Sequence, residues 1–264
     1  MPELAEVEYF RKRWDPGLGQ AVTAVQVHAE KRPFRGADVR SLQRRLVRQK
    51  LLRSEARGKQ MLFQFSGGNW LGIHLGMSGQ LRVEPAGFAP EKHDHLVLQQ
   101  KKRALVFKDA RQFGRVRYAH GPSEPDWWQA SAPEINSRAW TKGALTQFLQ
   151  RHGRAPIKAV LLSQEGFPGI GNWMADEILW RARIVPNLPA GKVNADRLAA
   201  LFRSTRFVAR ASLETIGEDS SDPPRTWLLH ERWKTGGRCP RHGTLLKRAT
   251  IGGRTTAWCA RCQR

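Results

Sequence analysis

The sequence predicts an α+β chain of several domains, and three observations predict it. An amphipathic stretch opens the chain, alternating apolar residues run from about 20 to 120, and helical periodicity dominates from about 140 to 217. The three cysteines all lie after residue 238. We therefore expect a short helix and a β-sandwich or barrel over 1–121, a helical domain over 122–230 and a small ribbon over 231–264.

The first two predicted domains follow from local patterns. Leu4, Val7 and Phe10 share one face of a helix over 3–14, which ends before Pro16. Two hairpins are predicted in the stretches MLFQFSGGNWLGIHL and HLVLQQKKRALVF. The stretch GPSEPDWWQASAPE, rich in proline, serine and acidic residues, predicts a linker.

Helices follow the predicted linker. Apolar spacing places three short helices around 145–149, 157–162 and 175–182. A longer helix is predicted from Asn194, a favourable N-cap, to Gly217, a favourable end. The stretch EDSSDPPR after it predicts a flexible loop.

The net charge restricts the partners of this chain. Its formal net charge is +22 over 264 residues, which favours a polyanion, and nucleic acid before a membrane surface. No apolar run reaches the length of a membrane span, and no signal-peptide pattern opens the chain. We therefore expect a cytoplasmic protein that contacts no membrane.

The C-terminal stretch CPRHGTLLKRATIGGRTTAWCARC predicts a metal site. Cys239 and His242 form one two-ligand turn, Cys259 and Cys262 form another, and sixteen residues separate the turns. This pattern is typical of a ribbon whose four ligands close one tetrahedral, structural zinc site. Residues 231–264 hold nine lysines and arginines against one acidic residue, so we expect the ribbon to contact phosphates.

Two further motifs fit a DNA-binding protein. In EGFPGIGNWMADEILW, Gly169 and Gly171 permit a tight turn and Asn172 is placed to cap a helix whose amides can bind phosphate. Taken alone, this is an ordinary capped turn. Met77 in HLGMSGQLR and Phe113 in DARQFG are apolar residues in turns and, taken alone, are typical of a core.

These stretches, together with PELAEVE, RGKQMLF, EKHDHL and GGRTTAWCARCQ, resemble the formamidopyrimidine-DNA glycosylase (Fpg/Nei, MutM) family along nearly the whole chain. The resemblance implies an N-terminal helix on a β-sandwich, a helix-two-turn-helix domain and a C-terminal zinc ribbon. It implies a monomeric, nucleoid-associated, bacterial-type enzyme of base excision repair. Such an enzyme excises oxidised bases from double-stranded DNA and then cleaves the strand at the abasic site.

The resemblance also assigns roles to individual residues. Pro2, freed by removal of Met1, would attack C1′ of the damaged nucleotide, with Glu3 handling protons at the sugar. Glu6 would shape the lesion site and Lys59 would hold phosphate or the lesion. Other residues match positions that hold flanking phosphates or read the opposite strand: His74, Arg111, Lys158, Asn172 and Arg254. Beside Arg111, Met77 and Phe113 would fill the gap left by an extruded base.

The N-terminal amine suits this chemistry independently. An N-terminal proline by itself is compatible with a mobile tail. An α-amine, however, has a pKa of about 7.7–8.0 against about 10.4 for lysine, so a useful fraction is unprotonated near neutral pH. A secondary amine still forms a cationic iminium with an aldehydic carbon. That cation makes the 2′ proton acidic, which opens the way to successive β- and δ-elimination.

Four features depart from the family pattern, and two of them, Gln112 and the stretch LLHERWKTGGR, bear on substrate choice. Ala5 stands where proline is usual, His242 replaces a cysteine, and Gln112 replaces an arginine beside Arg111. The stretch LLHERWKTGGR differs from the usual aromatic-Gly-Arg pattern, so the lesion-covering loop is expected to differ. An oxidised or ring-opened purine is the expected lesion, while the preferred opposite base is left open.

Two other functions explain part of the sequence. A catalytically silent zinc-ribbon protein that recognises damaged or bent DNA explains the charge and the ribbon, but it has no need of Pro2, Glu3 and Lys59 together. An RNA-binding ribbon protein leaves Met77 and Phe113 unexplained. The glycosylase with abasic-site lyase activity accounts for all of these residues.

Overall fold

The computed structural model describes residues 1–264. The chain forms two compact units: the first consists of Met1–Pro2 and Glu6–Ser131, and the second of Glu3–Ala5 and Ala132–Arg264. None of the helices combines the length and apolar character that a membrane span requires.

Two antiparallel four-stranded sheets form the first unit, as the sequence predicts. Its strands are β1 (Val22–Val27), β2 (Leu51–Arg57), β3 (Gln60–Phe65), β4 (Asn69–His74), β5 (Gln80–Pro85), β6 (Asp94–Gln100), β7 (Arg103–Lys108) and β8 (Arg115–His120). One sheet has the order β1-β6-β7-β5 and the other β2-β3-β4-β8. Both predicted hairpins are confirmed: β3 pairs with β4, and β6 pairs with β7.

Two helices pack in this unit. The predicted N-terminal helix is α1 (Leu4–Lys12), which belongs to this unit from Glu6 onward, and α2 (Val39–Leu46) is one that the sequence pattern does not indicate. Asp38 caps α2 by accepting the N–H of Ser41 at 3.0 Å, and the helix buries Leu42 and Leu46 in the core between the sheets. Its remaining positions are mostly polar, so the apolar face of α2 is narrow.

Part of the predicted linker is folded. Residues Asp126–Gln129 form a short helix, α3, and the ring of Trp128 is completely buried against Leu62 and Trp70. Trp127 lies over Gly72, where a Cβ would come within 2.3 Å of the ring. The first unit therefore extends about ten residues beyond the predicted boundary at 121.

The second unit is mainly helical. Its helices are α4 (Lys142–Arg151), α5 (Ile157–Leu161), α6 (Asn172–Ala182), α7 (Ala195–Leu213) and α8 (Ile216–Asp219). The predicted N-cap of α7 is confirmed, since Asn194 Oδ1 accepts the N–H of Arg197 at 3.0 Å. The helix ends at Leu213, before the predicted Gly217, which lies in α8.

A two-stranded ribbon completes the second unit. The strands β9 (Lys247–Ile251) and β10 (Arg254–Trp258) pair antiparallel around a turn at Gly252 and Gly253. Both glycines have positive φ, 61° and 71°, which favours glycine. A Cβ on Gly252 would lie 2.8 Å from the side chain of Ala159, so the turn packs closely on α5.

Candidate active site and metal centre

The carboxylate of Glu3 caps α6. Its oxygens accept the backbone N–H groups of Gly171 at 2.9 Å, Trp173 at 3.0 Å and Met174 at 3.1 Å, and the residue is 3% exposed. The first amides of a helix have no intrahelical partner and carry its positive end, so an anionic side chain is stabilised there. Glu3 is thereby fixed in position, and half-buried Pro2 precedes it directly in the chain.

This arrangement corrects the expectation for Asn172. Gly171 is the N-cap residue and Asn172 is the first residue of α6, so Asn172 does not cap the helix. The amides expected to bind phosphate already donate to Glu3. Gly171 is required here because a Cβ would lie 2.3 Å from Glu3 Cδ. Asn172 instead donates its Nδ2–H to the carbonyl oxygen of Thr255 in β10 at 3.0 Å.

Lys158 is completely buried. Its Nζ donates to the carbonyl oxygen of Asn172 at 2.7 Å and forms an ion pair with Asp176, and burial lowers its pKa. Arg232 pairs with the same carboxylate at 2.5 Å, and the N–H of Ala257 donates to it at 3.1 Å. This geometry contradicts the expectation that Lys158 contacts DNA phosphate. The contacts of Lys158 with Asn172 and Asp176 join α5 to α6, and the hydrogen bond from Ala257 to Asp176 joins β10 to α6.

Lys59 and His74 lie near each other in the first unit. Lys59 lies in the β2–β3 turn, directly after Gly58, and is 9% exposed, and His74 ends β4. Burial, with the positive charges of Lys59, Arg117 and Arg35, lowers the pKa of His74 to about 4. The ring is therefore neutral near pH 7. Its Nδ1 accepts the N–H of Gly76 at 3.0 Å, which leaves the Nε2–H as a donor for a phosphate oxygen.

Met77 and Phe113 are exposed and do not belong to the core. Their relative exposures are 37% and 38%, and Arg111 is also exposed. The guanidinium of Arg111 lies 5.0 Å from the centre of the Phe113 ring. Gln112 between them has a φ of 56°, a conformation that non-glycine residues rarely adopt. Met77 and Phe113 are therefore exposed apolar side chains on two turns, the kind of side chain that DNA-bending proteins insert between base steps.

Two more predicted residues lie at accessible positions. Arg254 is exposed at the start of β10, directly after the turn of the ribbon. Glu6 is half-buried on α1. Both positions are compatible with contact to a ligand.

Three cysteines lie close enough together to hold a metal ion. The Sγ atoms of Cys239, Cys259 and Cys262 lie within 4.8 Å of one another, and Cys239 Sγ is 3.9 Å from Cys262 Sγ. A tetrahedral site with metal–sulfur bonds of about 2.3 Å has sulfur–sulfur edges of about 3.8 Å, so this spacing fits a metal ion. Trp180 Nε1 lies 3.4 Å from Cys239 Sγ and is oriented to donate to it.

His242 stands apart from this cluster. Its side chain is exposed and lines a cavity of about 420 Å³ together with Cys262, Arg183, Arg197, Arg261 and Arg264. The structure therefore brings together three of the four predicted ligands. The place of His242 as the fourth ligand stays a prediction.

The chain is similar to known proteins along its length. Residues 1–116 match the formamidopyrimidine-DNA glycosylase N-terminal domain, and residues 132–223 match the formamidopyrimidine-DNA glycosylase H2TH domain. The formamidopyrimidine-DNA glycosylase of Xanthomonas axonopodis pv. citri is 34% identical over 275 aligned positions that cover 100% of both chains. That of Roseiflexus sp. is 37% identical over 217 positions, 79% of each chain.

Solved structures have the same fold. The wild-type Lactococcus lactis Fpg (MutM) in complex with DNA containing an oxidised pyrimidine has a TM-score of 0.89 and 25% identity, with 100% of both chains covered. The Lactococcus lactis Fpg in complex with DNA containing an abasic site has a TM-score of 0.88 and 25% identity, with 99% covered. Together with the two domain matches and the full-length relatives, these similarities establish that the chain belongs to the formamidopyrimidine-DNA glycosylase family.

Proposed function

We propose that this DNA glycosylase of base excision repair uses the amine of Pro2, freed by loss of Met1, to excise a damaged base and cleave the abasic strand. The observation that carries this proposal is the fixed position of Glu3, the residue after Pro2, on three amides of α6. A disordered N-terminal tail would not hold its third residue in this way.

The proposed reaction begins at C1′ of the damaged nucleotide. The lone pair of Pro2 attacks C1′ as the bond to the base breaks, and the base leaves with the electron pair and takes up a proton. Opening of the sugar gives an iminium whose cation makes the 2′ proton acidic, and β- and then δ-elimination releases both phosphates. The Glu3 carboxylate, held next to Pro2 in the chain, would stabilise the positive charge that develops at the sugar.

Double-stranded DNA with a damaged base or an abasic site is the proposed substrate. The Lactococcus lactis relatives bound to such DNA support this choice. His74 as a neutral donor, Lys59, Arg111, Asn172 and Arg254 would bind the DNA. Met77 and Phe113 would occupy the space that the extruded nucleotide leaves. We propose an oxidised or ring-opened purine as the preferred lesion and the bacterial cytoplasm as the location.

One structural zinc ion is the proposed cofactor. Cys239, Cys259 and Cys262 would supply three thiolates, and His242 would complete the tetrahedron after rotation of its exposed side chain. The ion would hold the two ligand turns together at the base of the ribbon. It supplies no chemistry to the reaction, since four protein ligands leave no open coordination position.

Borohydride trapping tests the proposed nucleophile. The protein with Met1 removed is incubated with an abasic-site duplex and borohydride, and peptide mapping should find the sugar remnant on Pro2. A tag left ahead of Pro2 acylates the amine and should abolish trapping. A silent DNA-binding protein has no iminium to reduce, so absence of any trapped species from the mature protein would favour that alternative.

A further inference from the structure

Asp109 is a buried carboxylate that the proposed reaction does not use. It follows β7, it has no exposed surface, and its N–H donates to the carbonyl oxygen of His93 at 2.9 Å. Its Oδ1 accepts the hydroxyl of Ser78 at 2.6 Å, and its Oδ2 accepts the N–H of Gly114 at 2.7 Å. Ser78 is the residue after Met77, and Gly114 is the residue after Phe113. One carboxylate thus holds both exposed turns.

The two turns also contact each other directly. Ser78 Oγ accepts the N–H of Arg111 at 3.2 Å. Gly76, with a φ of 64°, packs so closely on the other turn that a Cβ would lie 2.4 Å from the carbonyl carbon of Phe113. The two turns are therefore joined both by this backbone contact and by the Asp109 bridge.

A second buried side chain supports Asp109 from behind. The ring of His95 is completely buried, and its Nε2 lies 2.9 Å from the carbonyl oxygen of Asp109. Burial lowers the pKa of His95, so the neutral ring donates this hydrogen bond. The backbone and the side chain of Asp109 are thus both held by hydrogen bonds.

We infer that Asp109 is the positioning residue that aligns Met77 and Phe113 as a single wedge for base extrusion. This inference rests on the proposed function, in which these two side chains fill the space vacated by the extruded nucleotide. Asp109 is too deeply buried to contact DNA. Its effect is confined to the step that needs the wedge, the removal of a stacked, paired base.

The test compares two substrates. Asp109→Asn keeps the shape of the side chain but replaces one acceptor by an NH2 group, so either Gly114 N–H or Ser78 O–H loses its partner. Under single-turnover conditions we expect excision of a paired lesion to be about tenfold slower, because a buried hydrogen bond to a charged group is lost. Cleavage of a preformed abasic site should change far less.

Three variants accompany Asp109→Asn. Ser78→Ala removes one arm of the bridge and should give a smaller loss of the same kind, and it decides the matter if Asp109→Asn does not fold. Asp94→Asn is the matched control: this carboxylate, 1% exposed, accepts from Arg82 at 2.9 Å and does not touch either turn. It should affect both substrates equally. Phe113→Ala reports on the wedge itself.

The outcomes separate the inference from the proposed function. If Phe113→Ala slows both substrates equally, the wedge role in the proposed function is wrong and Asp109 has no wedge to align. If Phe113→Ala selectively impairs excision while Asp109→Asn and Ser78→Ala do not, the wedge stands and the positioning role of Asp109 is overturned.

Discussion

The carboxylate of Glu3 accepts the backbone N–H of Trp173 at 3.0 Å, a contact between residues 170 positions apart. The residue next to the proposed nucleophile is therefore also the cap of α6. In the proposed reaction, catalysis and stability would be coupled at this side chain, since the same oxygens that would face the sugar hold the start of a buried helix.

Glu3→Gln should weaken both properties. The neutral amide loses the charge that interacts with the positive helix end and presents an NH2 group to amide donors, so we expect a loss of about 1–2 kcal/mol in the free energy of unfolding. Borohydride trapping should fall strongly in the same variant. Urea unfolding and trapping yields measure the two effects.

Asn194→Ala is the control for Glu3→Gln. It removes the N-cap of α7 and should cost about 1 kcal/mol without reducing trapping. If Glu3→Gln unfolds like wild type, the capping contact contributes nothing. If both variants lose trapping equally, the loss reflects stability and not chemistry.

Lys158→Met should act on stability and leave DNA contacts in place. Removing the lysine leaves the buried Asp176 carboxylate with Arg232 as its remaining ion-pair partner, so the loss in the free energy of unfolding should be smaller than the about 3–5 kcal/mol expected for an unpaired buried charge. Arg254→Ala provides the contrast, because it should leave the free energy of unfolding unchanged. It should reduce the steepness of the plot of log K for DNA binding against log salt concentration by about one, the contribution of one phosphate contact. A reduced slope for a folded Lys158→Met protein would restore its role as a phosphate contact.

Glu177 makes stability depend on pH. Burial raises its pKa to about 7 from 4.5, although Arg181 lies within 2.7 Å. The folded protein retains this proton where the unfolded chain has lost it, so the stabilisation is complete below pH 4.5 and is lost as the pH rises to about 7. The change is on the order of 3 kcal/mol.

Glu177→Gln should remove this dependence. The free energy of unfolding of the variant, relative to that of wild type, should be higher at pH 8 than at pH 5. Urea unfolding at both pH values measures this difference. Glu214→Gln, at an exposed position on the same unit, should show no such gain. If the difference in the free energy of unfolding between wild type and Glu177→Gln stays constant with pH, the raised pKa of Glu177 is refuted.

The metal site predicts one zinc ion per chain. His242→Ala should lose zinc, because three protein ligands rarely hold a structural ion, and His242→Cys should regain it. Zinc content measured by atomic emission, with His120→Ala as an exposed-histidine control, checks this. A full zinc content in His242→Ala would place the fourth ligand elsewhere.

The sequence correctly predicts those features of the fold that depend only on residues close together in the chain. The hairpins and the Asn194 cap follow from neighbouring residues, and the structure confirms them. The cap of α6 did not follow, because a side chain 168 positions from Gly171 supplies it. Family resemblance places Lys158 on DNA phosphate, whereas its burial depends on Asp176, 18 positions along the chain, and no local pattern indicates that contact.

Two further elements could not be predicted because the composition of their segments is typical of exposed or unstructured chain. The helix α2 was missed because only Leu42 and Leu46 are buried in a run dominated by polar residues. The stretch around Trp128 looked like a linker because proline and serine surround it. Family resemblance supplied the candidate residues Pro2, Glu3 and Lys59, whereas the hydrogen bonds of Asp109 became visible only in three dimensions.

The burial of Trp128 determines where the chain is open to a protease. Although residues 121–130 look like a cleavable tether in the sequence, α3 is packed on Leu62 and Trp70 and resists the extended conformation that a protease requires. Cleavage should begin at the C-terminal end of the predicted linker, around Pro133 and Glu134, which are exposed just after the first unit ends. Limited digestion followed by mass spectrometry would then release a fragment that retains both neighbouring tryptophans, Trp127 and Trp128.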